Sequence, residues 1–360
     1  MGGILDTDFG ADGMAMYDGD DTFSYTGESL ARDSNGNIYV VGHSSAPNGY
    51  TLVVCKFNST GQLDTEFGNS GIVQEYGSGS SMANFAKGFD IIVDSDDILY
   101  VCGYRQDSES RDIAVYSYDS SGSRNSEFSL NGAAFYNIDL GGLNSEEGYA
   151  MTSDSDGNFY IAGYVSGAAS DDFIVLKINA NGVLVTDFGT DGYTVVSDAE
   201  GTDVNEYAHD IVLDSTDRIC IAGYGEIGGN EDMVIIWLKS DGSLDTASTS
   251  SGYRVYDGIA GGSGHDAFYG LSIGANDRIY AAGYSEGELG KKVTVMRLGV
   301  NGVLDLSFGT NGSILYNNPF SGGFSDEGRA CLVTESGHIY VTGFSENSSS
   351  NNDTILLRYY

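Results

Sequence analysis

A fixed internal period constrains this chain more than any single residue does, because self-similarity at regular spacing marks folds built from stacked copies of one unit. An aliphatic–aromatic signature ending in glycine recurs along the whole sequence. It reads IYVVG at 38–42, LYVCG at 99–103, FYIAG at 159–163, ICIAG at 219–223, IYAAG at 279–283 and IYVTG at 339–343. Its glycines stand at 42, 103, 163, 223, 283 and 343, so the spacings are 61, 60, 60, 60 and 60. A second signature keeps the same period: LDTDFGADG at 5–13, LDTEFGNSG at 63–71, LVTDFGTDG at 184–192 and LDLSFGTNG at 304–312. Two copies have decayed, SRNSEFSLNG at 123–132 and LDTASTSSG at 244–252.

Within one unit the pattern is of short strands and tight turns. In the second unit GFDIIVDS at 88–95 and ILYVCGY at 98–104 form a hairpin across an acidic turn. DIAVYSY at 112–118 is a third strand, and an outer strand is expected at the LDxxFG position. Helical periodicity is absent, while 25 Tyr and 16 Phe favour strands and 52 Gly favour turns. Four antiparallel strands repeated six times predict an all-β, six-bladed β-propeller, a single domain over residues 1–360. The chain stops at DTILLRYY (353–360), a third strand, and starts on GGILDTDFGADG (2–13), the missing outer piece. Residues 1–13 are therefore expected to complete the last blade with 353–360, which would leave no unpaired sheet edge.

The combination of IYVVG, an acidic third strand and NGxLDxxFGxxG resembles the bacterial delta-sixty repeat. DSDGNFYIAGY at 154–164 likewise resembles the SBBP-type β-propeller repeat. The likeness spans six copies. It implies a propeller carried by a large secreted or cell-surface bacterial protein, and it implies no shared catalytic motif.

Charge excludes other classes of partner. The formal net charge is −36, from 52 acidic and 16 basic residues. Nucleic acid is not an expected partner, because that affinity comes from Lys and Arg neutralising phosphates. Anionic membranes are disfavoured likewise. No apolar run is long enough to span a bilayer, and no basic-then-apolar leader follows Met1. The cysteines, Cys55, Cys102, Cys220 and Cys331, each replace an apolar or aromatic residue in a strand row and read as isolated buried thiols. Acidic turns such as DSNGN at 33–37 lack the span of a calcium loop and read as hairpin turns. Lys56, Lys177, Arg297 and Arg358 form a third-strand row expected to pair with acids such as Asp64 and Asp305, and Trp237 in that row is read as a packing residue.

Two rows remain for function. Just before each first strand the sequence has Tyr25, Ala86, Glu146, Glu206, Asp266 and Asp326. The four carboxylates are expected at the mouth of the central channel, on the face that carries the long loops. Three positions on stand Glu28, Phe89, Tyr149, His209, Tyr269 and Arg329, aromatics and charges suited to stacking on sugars or holding a cation. The bland alternative for the acids is capping of loop N–H groups. No HExxH, GxSxG, Walker or dinucleotide pattern occurs. The leading expectation is a non-catalytic binding or adhesion module, a monomeric part of a larger extracellular protein, holding a glycan or a protein surface. It would need no cofactor, with Ca2+ the one candidate ion. The alternatives are a polysaccharide hydrolase or lyase using the mouth carboxylates, and a structural spacer.

Overall fold

The computed structural model describes residues 6–19, 23–46, 49–76, 85–107, 110–197, 204–316, 325–347 and 351–360. Each repeat becomes a small antiparallel sheet. The first holds β1 (Ser24–Arg32), β2 (Ile38–Ala46), β3 (Gly49–Phe57) and β4 (Ile72–Glu75). The second holds β5 (Ala86–Val93), β6 (Leu99–Gln106), β7 (Arg111–Tyr118) and β8 (Ala133–Tyr136). The third holds β9 (Gly141–Ser153), β10 (Phe159–Gly167), β11 (Asp171–Ile178) and β12 (Tyr193–Val196). β13 (Glu206–Leu213), β14 (Ile219–Ile227), β15 (Asn230–Leu238) and β16 (Tyr253–Tyr256) follow. The fifth repeat gives β17 (Asp266–Ile273), β18 (Ile279–Gly287), β19 (Gly290–Leu298) and β20 (Ser313–Tyr316). The sixth gives only β21 (Asp326–Val333), β22 (Ile339–Glu346) and β23 (Asn352–Tyr359). Strands pair in sequence order within each repeat, and one bridge, Arg111 to Ser145, joins the second and third repeats into an eight-stranded sheet.

Neighbouring sheets pack face to face, and the alternation of side chains along a strand divides each sheet between two neighbours. Ile91, Leu99 and Val101 of the second repeat face back onto Tyr39, Val41, Leu52 and Val54 of the first. Tyr100, Cys102 and Val115 face forward onto Met151 and Ile161 of the third. The core is thus a series of inter-sheet layers, and no sheet buries both its faces alone.

The outer strand differs from the sequence expectation. LDxxFG forms a turn, and the fourth strand follows it, as in β4 at 72–75. The glycine of this turn reaches the next repeat: Gly68 N–H donates to Ser121 O at 2.7 Å and Gly189 N–H to Asp241 O at 2.8 Å. The chain start does the same, with Gly10 N–H donating to Thr60 O at 2.7 Å. Ala15 and Tyr17 then pack on Val53, Cys55 and Phe57 of the first sheet. Residues 1–5 lie outside the described residues, and among the described ones none of 6–14 pairs with β23.

The smaller sequence readings fall into place. Asp33, Asp94 and Asp154 accept N–H bonds two and four residues on, as hairpin turns require. Lys56 pairs with Asp64 at 3.1 Å and Arg297 with Asp305 at 3.0 Å. Lys177 instead meets the turn acid Asp154 at 3.5 Å, and Arg358 donates to the Tyr360 hydroxyl. Trp237 is fully buried. All four cysteines are free; Cys55, Cys102 and Cys220 are buried and Cys331 is partly so.

Candidate functional site

The site begins with a register defect present in every repeat. Pairing of each first strand with its second skips one residue: between Gly27 and Ser29, Gly88 and Asp90, Gly148 and Ala150, Ala208 and Asp210, Phe268 and Gly270, Gly328 and Ala330. The skipped residues are Glu28, Phe89, Tyr149, His209, Tyr269 and Arg329, the second candidate row. A bulge leaves its extra residue out of the ladder and re-aims its side chain.

The periodic glycine is what makes room for that bulge. A Cβ on Gly42, Gly103, Gly163, Gly223, Gly283 or Gly343 would lie 1.8–1.9 Å from the carbonyl oxygen two residues before the bulge, such as Tyr207 O opposite Gly223. None of the six has a left-handed backbone, so close approach alone selects glycine.

The bulge residues from Phe89 to Arg329 form a continuous belt. Ring centroids lie 4.9 Å apart for Phe89–Tyr149, 5.3 Å for Tyr149–His209 and 4.6 Å for His209–Tyr269. The Arg329 guanidinium then sits 3.9 Å above the Tyr269 ring. Each bulge residue also meets the residue just after its own repeat glycine: Glu28 with His43, Phe89 with Tyr104, Tyr149 with Tyr164, His209 with Tyr224, Tyr269 with Tyr284, Arg329 with Phe344. Tyr149, His209 and Tyr269 are partly exposed, and Arg329 is open to solvent.

Charges frame the belt. Arg111 lies over Tyr104 and pairs with Glu147; Lys291 lies over Tyr284 and pairs with Glu327 at 2.9 Å; Arg329 shares Glu327 at 2.6 Å. Burial, helped by the Arg329 charge, holds His209 neutral with its pKa lowered to about 3, and its Nε2 makes no hydrogen bond. Beneath the belt Asp210 accepts N–H bonds from Ile211 and Leu271, while Asp90 accepts from Ile91, Met151 and the Ser29 hydroxyl. Burial first, and then the Asp90 charge, push the Asp210 pKa up to about 7, against the opposing pull of those N–H groups.

The other candidate row lies elsewhere than expected. Glu146, Glu206, Asp266 and Asp326 are each 0% exposed, enclosed between sheets rather than open at a mouth. Strand alternation turns them toward the neighbouring repeat. Asp266 accepts from Gly258 N–H at 2.7 Å and Glu286 N–H at 3.0 Å, the capping role that was the bland reading. The structure thus brings Tyr149, His209, Tyr269 and Arg329 together and keeps the four acids in separate inter-sheet layers. Among the described residues, carboxylate oxygens of Asp232, Asp257 and Asp266 all lie within 4.8 Å of one another, close enough to share a metal ion. Arg111, Lys291 and the tyrosines after the repeat glycine were missed from sequence, although Tyr104, Tyr164, Tyr224 and Tyr284 recur at one repeat position and could have been found there.

Family comparisons agree with the repeat reading. An SBBP β-propeller repeat matches residues 22–50, and a β-propeller domain of unknown function (DUF5122) matches 215–247. No curated protein matches the chain. Among solved structures, a gluconolactonase from Xanthomonas campestris is 10% identical with a TM-score of 0.44, covering 93% of this chain and 87% of that one. The calcium-binding protein regucalcin from Agrobacterium tumefaciens is 12% identical with a TM-score of 0.41, covering 91% and 85%. An arabinanase of Bacillus subtilis is 11% identical with a TM-score of 0.38, covering 93% and 97%.

Proposed function

From the premise that this chain belongs to the SBBP-type β-propeller repeat family, we propose that its sheets close into a six-bladed ring that binds an acidic glycan at the channel mouth. Closure is supported by the two end faces. Leu30 on the first sheet is 67% exposed, and Leu332 and Leu356 on the last are 60% and 70% exposed. Their apolar surfaces are the two halves of the layer that recurs between all other neighbours. The chain start already occupies the first sheet as an outer strand of the sixth would, through the Gly10–Thr60 bond.

The observation that carries the binding function is the belt itself. Six bulges aim six side chains inward, and the belt runs aromatic, aromatic, imidazole, aromatic, guanidinium. Partly exposed rings offer faces for sugar C–H groups. Arg329 offers a planar fork for a carboxylate or sulfate, with Arg111 and Lys291 nearby in a chain otherwise strongly acidic. We place the domain outside the cell, as a monomeric module of a larger protein, on the strength of the repeat family.

A glycan array with neutral, uronate and sulfated sugars tests this. Binding to acidic sugars is expected, lost in Arg329→Ala and weakened in Tyr269→Ala. Equal binding by wild type and both variants, or none to any sugar, overturns it.

One observation favours an enzyme instead. His209 is neutral, its buried Nε2 makes no hydrogen bond, and Tyr149, Tyr269 and Arg329 surround it, which suits proton abstraction from a uronate that displaces the covering rings. Release of unsaturated uronides that vanishes in His209→Gln would move the function to a lyase.

A further inference from the structure

Seams between consecutive sheets place a contact at the same pair of repeat positions, the start of a third strand and the residue two before the next bulge. Arg111 pairs there with Glu147, the Tyr207 hydroxyl donates to Asp171 at 2.7 Å, and Lys291 pairs with Glu327 at 2.9 Å. At the seam of the fourth and fifth sheets Ala267 leaves the place open, and Tyr284 on the adjacent strand donates to Glu231 instead. The seam of the first and second sheets differs. Lys87 lies 3.9 Å above the Tyr50 ring, and among the described residues no carboxylate pairs with it.

Where a cation serves as a tie at this place, the chain supplies its acid and buries it: Glu147 and Glu327 are each 5% exposed. Arg111 is thereby neutralised. Lys291 and Arg329 share the single carboxylate of Glu327, which leaves one positive charge over at that end of the belt. Lys87 leaves a second at the other end. It stands opposite Tyr104 on the paired strand, and the Tyr104 ring lies 6.0 Å from Phe89, so Lys87 adjoins the belt. Tyr50 is 38% exposed, with the His43 ring edge-on at 5.2 Å and the Phe85 ring at 6.2 Å. A Cβ on Gly49 would lie 2.4 Å from the Phe85 ring, so glycine there admits that ring beside Tyr50. An exposed aromatic ring carrying an unpaired ammonium suits a sugar with an anionic group: the uncovered part of the ring takes C–H groups, and the ammonium meets the charge.

We infer that Lys87 and Tyr50 form a second anionic-sugar subsite, continuous with the belt, and that the ligand is an acidic oligosaccharide long enough to engage Lys87 and Arg329 together. This rests on the acidic-glycan reading of the belt and extends it from one sugar to a chain. The rings from Phe89 to Tyr269 lie between the two cations along the belt, each 4.6–5.3 Å from the next, a run that fits several sugars rather than one. Lengthening the ligand then adds a second contact within a molecule already bound, which multiplies affinity. The arrangement also answers the net charge of −36: a polyanion is held only where cations locally outnumber acids, and the belt has such a place at each end.

Calorimetric titration of the whole chain with size-graded oligogalacturonates, and with size-graded heparin-derived oligosaccharides, tests it. The first series carries carboxylates alone and the second carries sulfates as well, so the pair also identifies the anionic group. Wild type is expected to bind an octasaccharide about tenfold more tightly than a disaccharide of the same series. Lys87→Gln and Tyr50→Ala should each remove most of that gain with length, and Lys87→Arg should keep it. A lysine that merely ties two sheets would lower the thermal unfolding midpoint when replaced and leave the gain with length as it was. A gain unchanged in Lys87→Gln, or a wild type that binds both lengths equally, overturns the subsite and leaves the belt reading standing. No binding of either series by wild type overturns both.

Discussion

Val115 and Leu356 occupy the same place in their repeats, opposite Cys102 and Thr342 on the second strand. Val115 is 0% exposed and Leu356 is 70% exposed. Ile91 and Leu30 repeat the contrast on the other face, at 4% and 67%. Nothing local separates the members of each pair, since register, strand type and apolar character are alike. The difference lies in the neighbour. A sheet of this kind buries a face only against the next sheet, so its stability is largely borrowed from the repeats beside it. Fully burying one such side chain stabilises by roughly 1.5–3 kcal/mol, and each end face forgoes several of these until something covers it.

The most severe test of that contrast places a charge at both positions. Val115→Asp should cost about 4 kcal/mol or more, as a carboxylate is forced between two sheets, and chemical denaturation measures it. Leu356→Asp then decides closure: a closed ring predicts a comparable loss, whereas an open seam predicts a change within about 0.5 kcal/mol. The second test concerns the bulges. Gly223→Ala sets a Cβ 1.9 Å from Tyr207 O and should cost about 2–3 kcal/mol and disturb the belt at His209. Gly343→Ala meets the same 1.9 Å contact with Glu327 O in the last sheet, so a closed ring predicts a comparable loss and an open end a smaller one. Equal losses would mean that the last sheet is held as firmly as the interior ones.

The third test is pH dependence. Asp210 has its pKa raised to about 7 in the folded chain, against a usual value near 4. Its protonated form is therefore favoured by folding. Its contribution to stability is complete below about pH 4 and is lost as the pH climbs toward about 7, with a limiting slope of about 1.4 kcal/mol per unit. Asp210→Asn should flatten that part of the curve relative to wild type. Only the second repeat shares a carboxylate at this position, Asp90, while the others have Ser29, Ala150, Gly270 and Ala330, so the effect belongs to single interior repeats. An unchanged difference between wild type and variant from pH 4 to 7 would refute it. The mildest test is thiol labelling of the native protein. Cys331 in the last sheet should react before Cys102 and Cys220, which are 0% and 2% exposed. Simultaneous labelling of all three would erase the distinction between end and interior.

Much of the site was legible because repetition substitutes for an alignment. Placing six copies under one another exposed the row from Glu28 to Arg329 as the one that varies most in chemistry. The glycines of the first signature were equally visible, but their reason was not: a clash with a carbonyl on the adjacent strand exists only once the strands are paired. The acid row was misplaced for a related cause. Glu206 and His209 stand three residues apart, and which of them meets solvent depends on alternation, on a bulge between Ala208 and Asp210, and on the sheet that covers Glu206. The outer strand was displaced because LDxxFG reads as a strand by its aromatic and aliphatic residues, yet its glycines turn the chain.

Sequence by itself determined the unit, its period, its first three strands, the variable row from Glu28 to Arg329 and the absence of a known catalytic motif. These follow from local chemistry repeated six times, because turn residues and strand alternation act over a few positions. Tertiary structure alone decided which faces are covered, that four carboxylates lie buried in inter-sheet layers, and that aromatic and basic side chains from separate repeats meet in one belt. Those outcomes depend on contacts about 60 residues apart along the chain, where burial and electrostatics are set by the neighbour rather than by the residue itself.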